Sequence, residues 1–336
     1  MKINRESFLQ KLLLVEPGIS TKETIQQSSC VVFLKGRLYT LSQETACSIP
    51  SELPSDWEFA IRAEKLIALL KSMKDEEIEL NYSKTLNIKG QGKARLNTEE
   101  RILLPVSEVE LPKKDDWQEL HEDFAEAVDL VCKCTKRRSE FQKECIHITK
   151  SWLESSDNMK MIRYSVPTFI RKSVLVRGES IKVIVQLGMT KAAETSNWLH
   201  FKNPTGLRLS VRQFGLEEYP RLEDFLKMRG KRVTFPKGLV DAATRAAIFC
   251  EDGNSLKVSI SEERLLVEGR SVQGEYLESR KVKYVGAPLA FWIPAKLISE
   301  LVKEHSNAEV TDYTIRVDGG KYVYCASLMK EDSNER

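Results

Sequence analysis

The sequence predicts an α+β fold in which one β-rich, two-helix repeat occurs three times. Two stretches that run from a strand into a helix match each other. Phe59-Ala60-Ile61-Arg62-Ala63 leads into Lys65-Leu66-Ile67, and Phe291-Trp292-Ile293-Pro294-Ala295 leads into Lys296-Leu297-Ile298. Phe59 and Phe291 are 232 residues apart, twice 116, and a degenerate third copy with the same apolar spacing stands near the midpoint, over 175–185. The same period recovers an earlier helix in each repeat, with alternating, hairpin-like segments between the two helices.

Taken in order, the first repeat is a helix over 5–15, strands 31–34 and 38–41 joined by a turn at Lys35-Gly36, a strand-to-helix stretch over 59–71, then strands 77–82 and 85–89. The second is a helix over roughly 117–134, the strand-to-helix stretch 175–185, then strands 198–202 and 207–212. The third is a helix over 237–249, strands 256–260 and 265–267 turning at Glu262-Glu263, the stretch 291–303, then strands 311–317 and 322–327. Linkers at Leu111-Pro112-Lys113-Lys114 and Arg229-Gly230-Lys231 divide the chain into 1–113, 114–229 and 230–336.

Apolar residues make up 41% and charged residues 30% of the 336, the profile of a folded soluble chain. No apolar run approaches the ~20 residues that span a bilayer. The start, Met1-Lys2-Ile3-Asn4-Arg5-Glu6, carries an acid and lacks the apolar core of an export signal. Seven scattered cysteines without such a signal fit a reduced, cytoplasmic protein, so membrane and secreted classes are excluded. Net charge is +3, from 52 basic and 49 acidic residues, and the middle repeat carries the whole excess. Charge alone does not mark a nucleic-acid binder; a grip on DNA would need a local patch or geometry.

No catalytic constellation assembles. The phosphate-loop, dinucleotide, zincin and nucleophile-elbow motifs are all missing, and His121, His147, His200 and His305 show no ligand spacing. Cys132 and Cys134 point apart on a helix, which favours packed thiols over a zinc site. Acidic clusters such as Asp75-Glu76-Glu77 sit at turns, with nothing to suggest the convergence a two-metal nuclease needs. No metal or cofactor is expected.

Basic residues say more. Lys133, Lys136, Arg137 and Arg138 end a helix whose first half holds Glu119, Glu122, Asp123 and Glu126, an order that also suits the helix dipole. Lys65, Lys71 and Lys74, Lys182 and Lys191, and Lys296 and Lys303 recur on the second helix of the three repeats. A basic helix at one architectural position is what a phosphate-facing surface requires.

These residues resemble those of the bacterial-type DNA sliding clamps. Arg245-Ala246-Ala247-Ile248 after Lys237-Gly238-Leu239 is similar to the first helix of that family's third domain. Ser156-Asp157-Asn158-Met159-Lys160-Met161 resembles its T-D-G-H-R-L segment, Tyr219-Pro220-Arg221-Leu222 its F-P-D-Y, and residues 321–328 its last strand, Y-V-V-M-P-M-R-L. The resemblance covers essentially the whole chain and implies three tandem clamp-like domains, each with two helices on antiparallel sheets. Two copies would close head to tail into a ring, with helices lining the hole.

It further implies a non-enzymatic processivity factor. The chain would encircle double-stranded DNA without sequence preference, and a DNA polymerase and a clamp loader would bind it through short peptides. Their cleft would use Ser156, Asn158, Met159, Lys160, Met161, Pro220, Phe225, Val323, Cys325 and Ser327. The DNA-facing cations would be Lys65, Lys71, Lys74, Lys133, Lys136, Arg137, Lys182, Lys191, Lys296 and Lys303, and the self-interface Ile248, Phe249 and Leu96. Two departures stand out: Cys325-Ala326-Ser327-Leu328 replaces the family's ending, and Asn158, which tolerates positive φ, replaces a glycine. Such divergence would suit a clamp of a phage or mobile element. The rival readings are a clamp-like module that sequesters clamp partners without encircling DNA, and a metal-dependent nuclease.

Overall fold

The computed structural model describes residues 1–216, 219–250, 255–302 and 306–329. The first repeat runs β1 (Lys2–Asn4), α1 (Arg5–Val15), β2 (Cys30–Leu34), β3 (Arg37–Leu41), β4 (Thr45–Pro50), β5 (Phe59–Arg62), α2 (Ala63–Ser72), β6 (Glu77–Tyr82), β7 (Thr85–Lys89) and β8 (Lys93–Asn97). The second opens with β9 (Gln118–Glu119), α3 (Phe124–Cys132) and the four-residue α4 (Phe141–Glu144). It continues through β10 (Cys145–Ile148), β11 (Trp152–Ser156), β12 (Lys160–Ser165) and β13 (Val174–Arg177). A split helix, α5 (Gly178–Lys182) and α6 (Ile184–Leu187), precedes β14 (Lys191–Glu194), β15 (Trp198–Lys202) and β16 (Arg208–Arg212).

A short α7 (Glu223–Leu226) leads into the third repeat: β17 (Lys231–Thr234), α8 (Leu239–Ala247), β18 (Ser255–Ile260), β19 (Arg264–Ser271) and β20 (Gly274–Lys281). Then come β21 (Leu289–Pro294), α9 (Ala295–Val302), β22 (Asn307–Val310), β23 (Thr314–Asp318) and β24 (Tyr322–Ser327). Short extra helices aside, the order strand, helix, four strands, helix, three strands occurs three times.

By contacts the chain divides into two compact bodies. One comprises Met1–Cys132, Cys145–Ser151 and Pro167–Glu217; the other comprises Lys133–Glu144, Trp152–Val166 and Glu218–Arg336. The first body holds the sheet β1-β6-β7-β8, the sheet β5-β2-β3-β4-β16-β15-β14-β9 and the pair β10-β13. The second holds the strands β11-β12-β24-β23-β22-β17 and the sheet β20-β19-β18-β21.

Main-chain pairing joins the repeats. At the first junction β4 runs antiparallel to β16, with Thr45 opposite Val211 and Ser48 opposite Arg208. At the second, β12 runs antiparallel to β24, with Met161 opposite Cys325 and Arg163 opposite Val323. In both, the closing strand of one repeat extends the sheet that the preceding repeat began. Strands β8 and β20 hold the same places at the outer edges and, among the described residues, have no lateral neighbour on that side.

The helices form because an apolar stripe at three- and four-residue spacing buries itself. On α1 the stripe is Phe8, Leu9, Leu12 and Val15, and the Asn4 side chain caps the helix by accepting the Ser7 N–H at 2.8 Å. The stripes of α2 (Leu66, Ile67, Leu70) and α9 (Leu297, Ile298, Leu301) follow the matched strand-to-helix stretches. Helices pack in pairs: α1 on α2, α3 on α5 and α6, α8 on α9. The repeated phenylalanine is a core ring. Phe59 is fully buried and stacks on Phe33 at 4.6 Å between centroids, and Phe291 is buried likewise.

Two elements differ from the sequence expectation. The helix expected over 117–134 starts only at Phe124, where the apolar periodicity begins; Gln118 and Glu119 instead pair with Ala192 and Lys191 as β9 and β14. The degenerate copy over 175–185 is a strand followed by a helix broken at Val183, and the second piece ends at Gly188 with φ +58°.

Two predictions follow from packing. A Cβ on Gly269 would lie 1.9 Å from the Ala246 carbonyl oxygen, because β19 runs against α8. Gly269→Ala will therefore destabilise the fold by roughly 1–3 kcal/mol, measurable by urea unfolding. His200 is buried between the hydroxyls of Thr195 (2.9 Å) and Ser210 (2.7 Å), and burial pushes its pKa down to about 4. An unfolded histidine titrates near ~6.5, so between pH 6.5 and 4 the unfolded chain binds the extra proton and stability falls as the pH drops. His200→Gln will flatten that part of the stability profile.

Candidate peptide cleft and basic surface

The β11–β12 hairpin sets up the cleft. The Asp157 carboxylate accepts the N–H groups of Met159 and Lys160, both at 3.0 Å, and Asn158 takes φ +75° at the tip. The Ser156 hydroxyl donates to the Lys160 carbonyl at 3.2 Å, and the Ser327 N–H donates to the Met159 carbonyl at 2.7 Å. Side chains alternate along strands, so Met161, Arg163, Val323 and Cys325 share one face of β12 and β24.

Over that face lies the segment 219–226. Leu222 and Leu226 are buried against Cys325, with Tyr219, Met161 and Val323 packed around them. Both ends of α7 are pinned. Arg163 donates to the Glu223 carboxylate at 2.9 Å and to the buried Glu154 carboxylate at 2.8 Å, and the buried Arg316 donates to the Leu226 carbonyl at 3.0 Å. The hydrogen bond from Arg163 holds the Glu223 carboxyl below its usual range. Burial pushes the Cys325 thiol up to about 11, so it packs as a small apolar group rather than reacting. Phe225 is 47% exposed and Met159 43%, with exposed Pro220 nearby in the segment, which leaves an apolar rim open to solvent.

Lys160 belongs elsewhere. Alternation turns its side chain to the opposite face, where its ammonium lies 3.1 Å from Glu300 on α9. The Ser156 hydroxyl is occupied within the hairpin. Leu222, Leu226, Arg163 and Arg316 were not among the expected cleft residues. The four-residue spacing of the two leucines was a signal, but a four-residue helix is too short to show periodicity.

Of the expected DNA-facing cations, Lys65 and Lys71 are exposed on α2 and Lys74 just beyond its end. Lys182 ends α5, 4.0 Å from Asp129, and Lys296 is exposed in the first turn of α9. Lys191 is not on a helix. It stands on β14 with its ammonium 2.8 Å from Glu119 on β9. Lys133, Lys136 and Arg137 are exposed but follow α3 rather than ending it, since α3 stops at Cys132. Lys303 lies outside the described residues.

Ile248, just after α8, is 77% exposed. Phe249 has an intrachain partner, stacking on Tyr276 of β20 at 5.9 Å and 16°. Leu96 is half-buried on β8, opposite Leu86. All seven cysteines are free. Among the described residues no three or more of His, Cys, Asp and Glu gather as a metal site, and no helix is long and apolar enough to cross a membrane.

No protein-family model and no curated protein matches the chain. Solved structures do. The DNA polymerase sliding clamp from Pseudomonas aeruginosa aligns with a TM-score of 0.80 at 16% identity, over 98% of this chain and 99% of that one. The beta subunit of DNA polymerase III from Thermotoga maritima gives 0.80 at 17%, with the same coverage. The sliding clamp from Bacillus subtilis gives 0.81 at 15%, again over 98% and 99%. Over essentially its whole length, this chain has the α+β fold of the bacterial DNA sliding clamps, carried by a widely divergent sequence.

Proposed function

We propose that the chain is a non-enzymatic DNA sliding clamp of the cytoplasm, built of three tandem domains (1–113, 114–229, 230–336). Two copies join head to tail around duplex DNA and tether a polymerase through its clamp-binding peptide. A clamp loader, the ATP-using partner, opens the ring. The observation that carries this reading is the pairing rule of the repeats. Strands of the β4 and β12 position each receive a closing strand, β16 or β24. The strand of that position in the third repeat, β20, and the first repeat's closing strand, β8, remain open among the described residues. One copy's β20 can therefore receive another copy's β8, and two such contacts close a ring. Open sheet edges are otherwise a liability.

Ile248 stands exposed at the β20 side and Leu96 lies on β8, which suits both to that contact. Exposed lysines on α2 and α5 of one body and on α9 of the other give each dispersed positive charge, enough to attract phosphates without gripping bases. Encirclement replaces affinity, which explains a net charge of only +3.

Purified protein loaded on nicked circular DNA will stay bound in high salt and will be lost when the circle is cut open. Ile248→Asp will remain monomeric and be retained on neither form. Equal retention on circle and linear DNA would favour the sequestering module, and cleavage of the DNA with magnesium or manganese would favour the nuclease. In the cleft, Met161→Ala with Phe225→Ala will weaken a polymerase-derived peptide at least tenfold while the dimer mass is unchanged. Loss of the dimer with intact peptide binding would remove these residues from the cleft.

A further inference from the structure

The pairing rule that builds the cleft on β12 and β24 builds a second groove on β4 and β16. Ala46 is opposite Ser210 and Ser48 opposite Arg208, so these four side chains share one face. The segment 102–111 lies over that face, as 219–226 lies over the other. Its Leu104 and Val109 are buried, and Ile102 and Val106 pack into the same cluster with Tyr39, Leu41 and Ala46. A cavity of about 50 Å³ remains, with room for the tip of one aliphatic side chain. Tyr39, Ala46 and Val106 form apolar walls, Leu111 lines it while 54% exposed, and Arg208 and Ser210 line its polar side.

The two grooves differ in charge. In the cleft on β12, Arg163 is neutralised by Glu154 and Glu223. In the groove on β4 and β16 the nearby cations, Arg208 of β16 and Arg37 of β3, have no such partners among the described residues. Arg208 makes no ion pair among the described residues and lies opposite Lys202. Arg37 donates to the Ser48 and Gly206 carbonyls, at 3.4 and 2.9 Å, while its buried Nε has no hydrogen-bond partner among the described residues. Burial first, and then the neighbouring Arg208, hold the Arg37 guanidinium below its usual value. An uncompensated cation at the lip of an apolar hole is complementary to an apolar group that carries an anion.

We propose that this groove is a second peptide-docking site, taking one apolar side chain of a partner protein together with an adjacent carboxylate, held by Arg208. It goes beyond the clamp reading and does not depend on ring closure.

The test is photo-crosslinking of the full-length protein with acetyl-Leu-Leu-(p-benzoylphenylalanine) bearing a free C-terminal carboxylate, and with its C-terminal amide. Adducts are mapped by mass spectrometry. The expected adducts fall in 39–48 and 102–111, and the amide probe or Arg208→Glu lowers them at least fivefold. Adducts in 159–161 and 219–226 report the other cleft in the same sample and should not respond to Arg208→Glu. If that variant loses them too, it has misfolded, and Arg208→Gln is used in its place. No adducts in 39–48 and 102–111, or adducts indifferent to both the amide and the Arg208 variants, would overturn the proposal. So would adducts that appear only on dilution, because another copy would then be the occupant. Failure of the clamp reading would show in the DNA circles and leave these adducts unaffected.

Discussion

Antiparallel main-chain pairing between successive repeats is the constraint on which the rest of this structure depends. Every strand edge carries N–H and C=O groups that must find partners or stay in water. The repeat meets that requirement by lending its closing strand to the repeat before it, as β16 does for β4 and β24 for β12. A chain of three such repeats fills two junctions and leaves one edge of each kind. The helix pairs α1–α2, α3–α5/α6 and α8–α9 cover the buried faces of the sheets, which frees their outer face for the covering segments 102–111 and 219–226. The two edges left over among the described residues are thus a consequence of the repeat rather than an addition to it.

The same rule accounts for where grooves arise. Each junction brings two strands side by side, and the linker between the two repeats it joins crosses the joined face. The linker buries aliphatic side chains at four- or five-residue spacing, Leu222 with Leu226 and Leu104 with Val109, and beside the latter pair a cavity of about 50 Å³ remains. Chemistry then separates the two sites. Around Arg163 the carboxylates of Glu154 and Glu223 cancel the charge and stiffen α7, so the rim of Phe225 and Met159 is presented as an apolar surface. Around Arg208 no carboxylate does so among the described residues, and the groove keeps a positive edge.

Much of the fold was legible because its signature residues are core residues. Phe59 and Phe291 stand out in the sequence for the reason that they matter in the structure: each enters the core just before a helix that buries its own stripe. Asn158 was legible as a tip residue because few side chains other than glycine accept its φ of +75°. Long-range pairing was not legible. Nothing near Lys191 shows that it opposes Glu119, more than seventy residues earlier, so it reads as one of a basic helical series. Lys160 sits within a recognisable segment, yet its direction depends on hairpin register, which a single-residue shift would reverse. The short α7 and the split α5–α6 escape periodicity because neither completes enough turns.

Hydrogen exchange on the amides of β8 and β20, read by mass spectrometry above and below the concentration at which the protein associates, addresses the pairing rule directly. If the open edges receive each other in a second copy, both strands will be protected at high concentration to the level of β4 and β16, and will lose that protection together on dilution. Rapid exchange of both strands at every concentration, in protein that associates all the same, would mean that the copies meet elsewhere and that the rule stops at the ends of the chain.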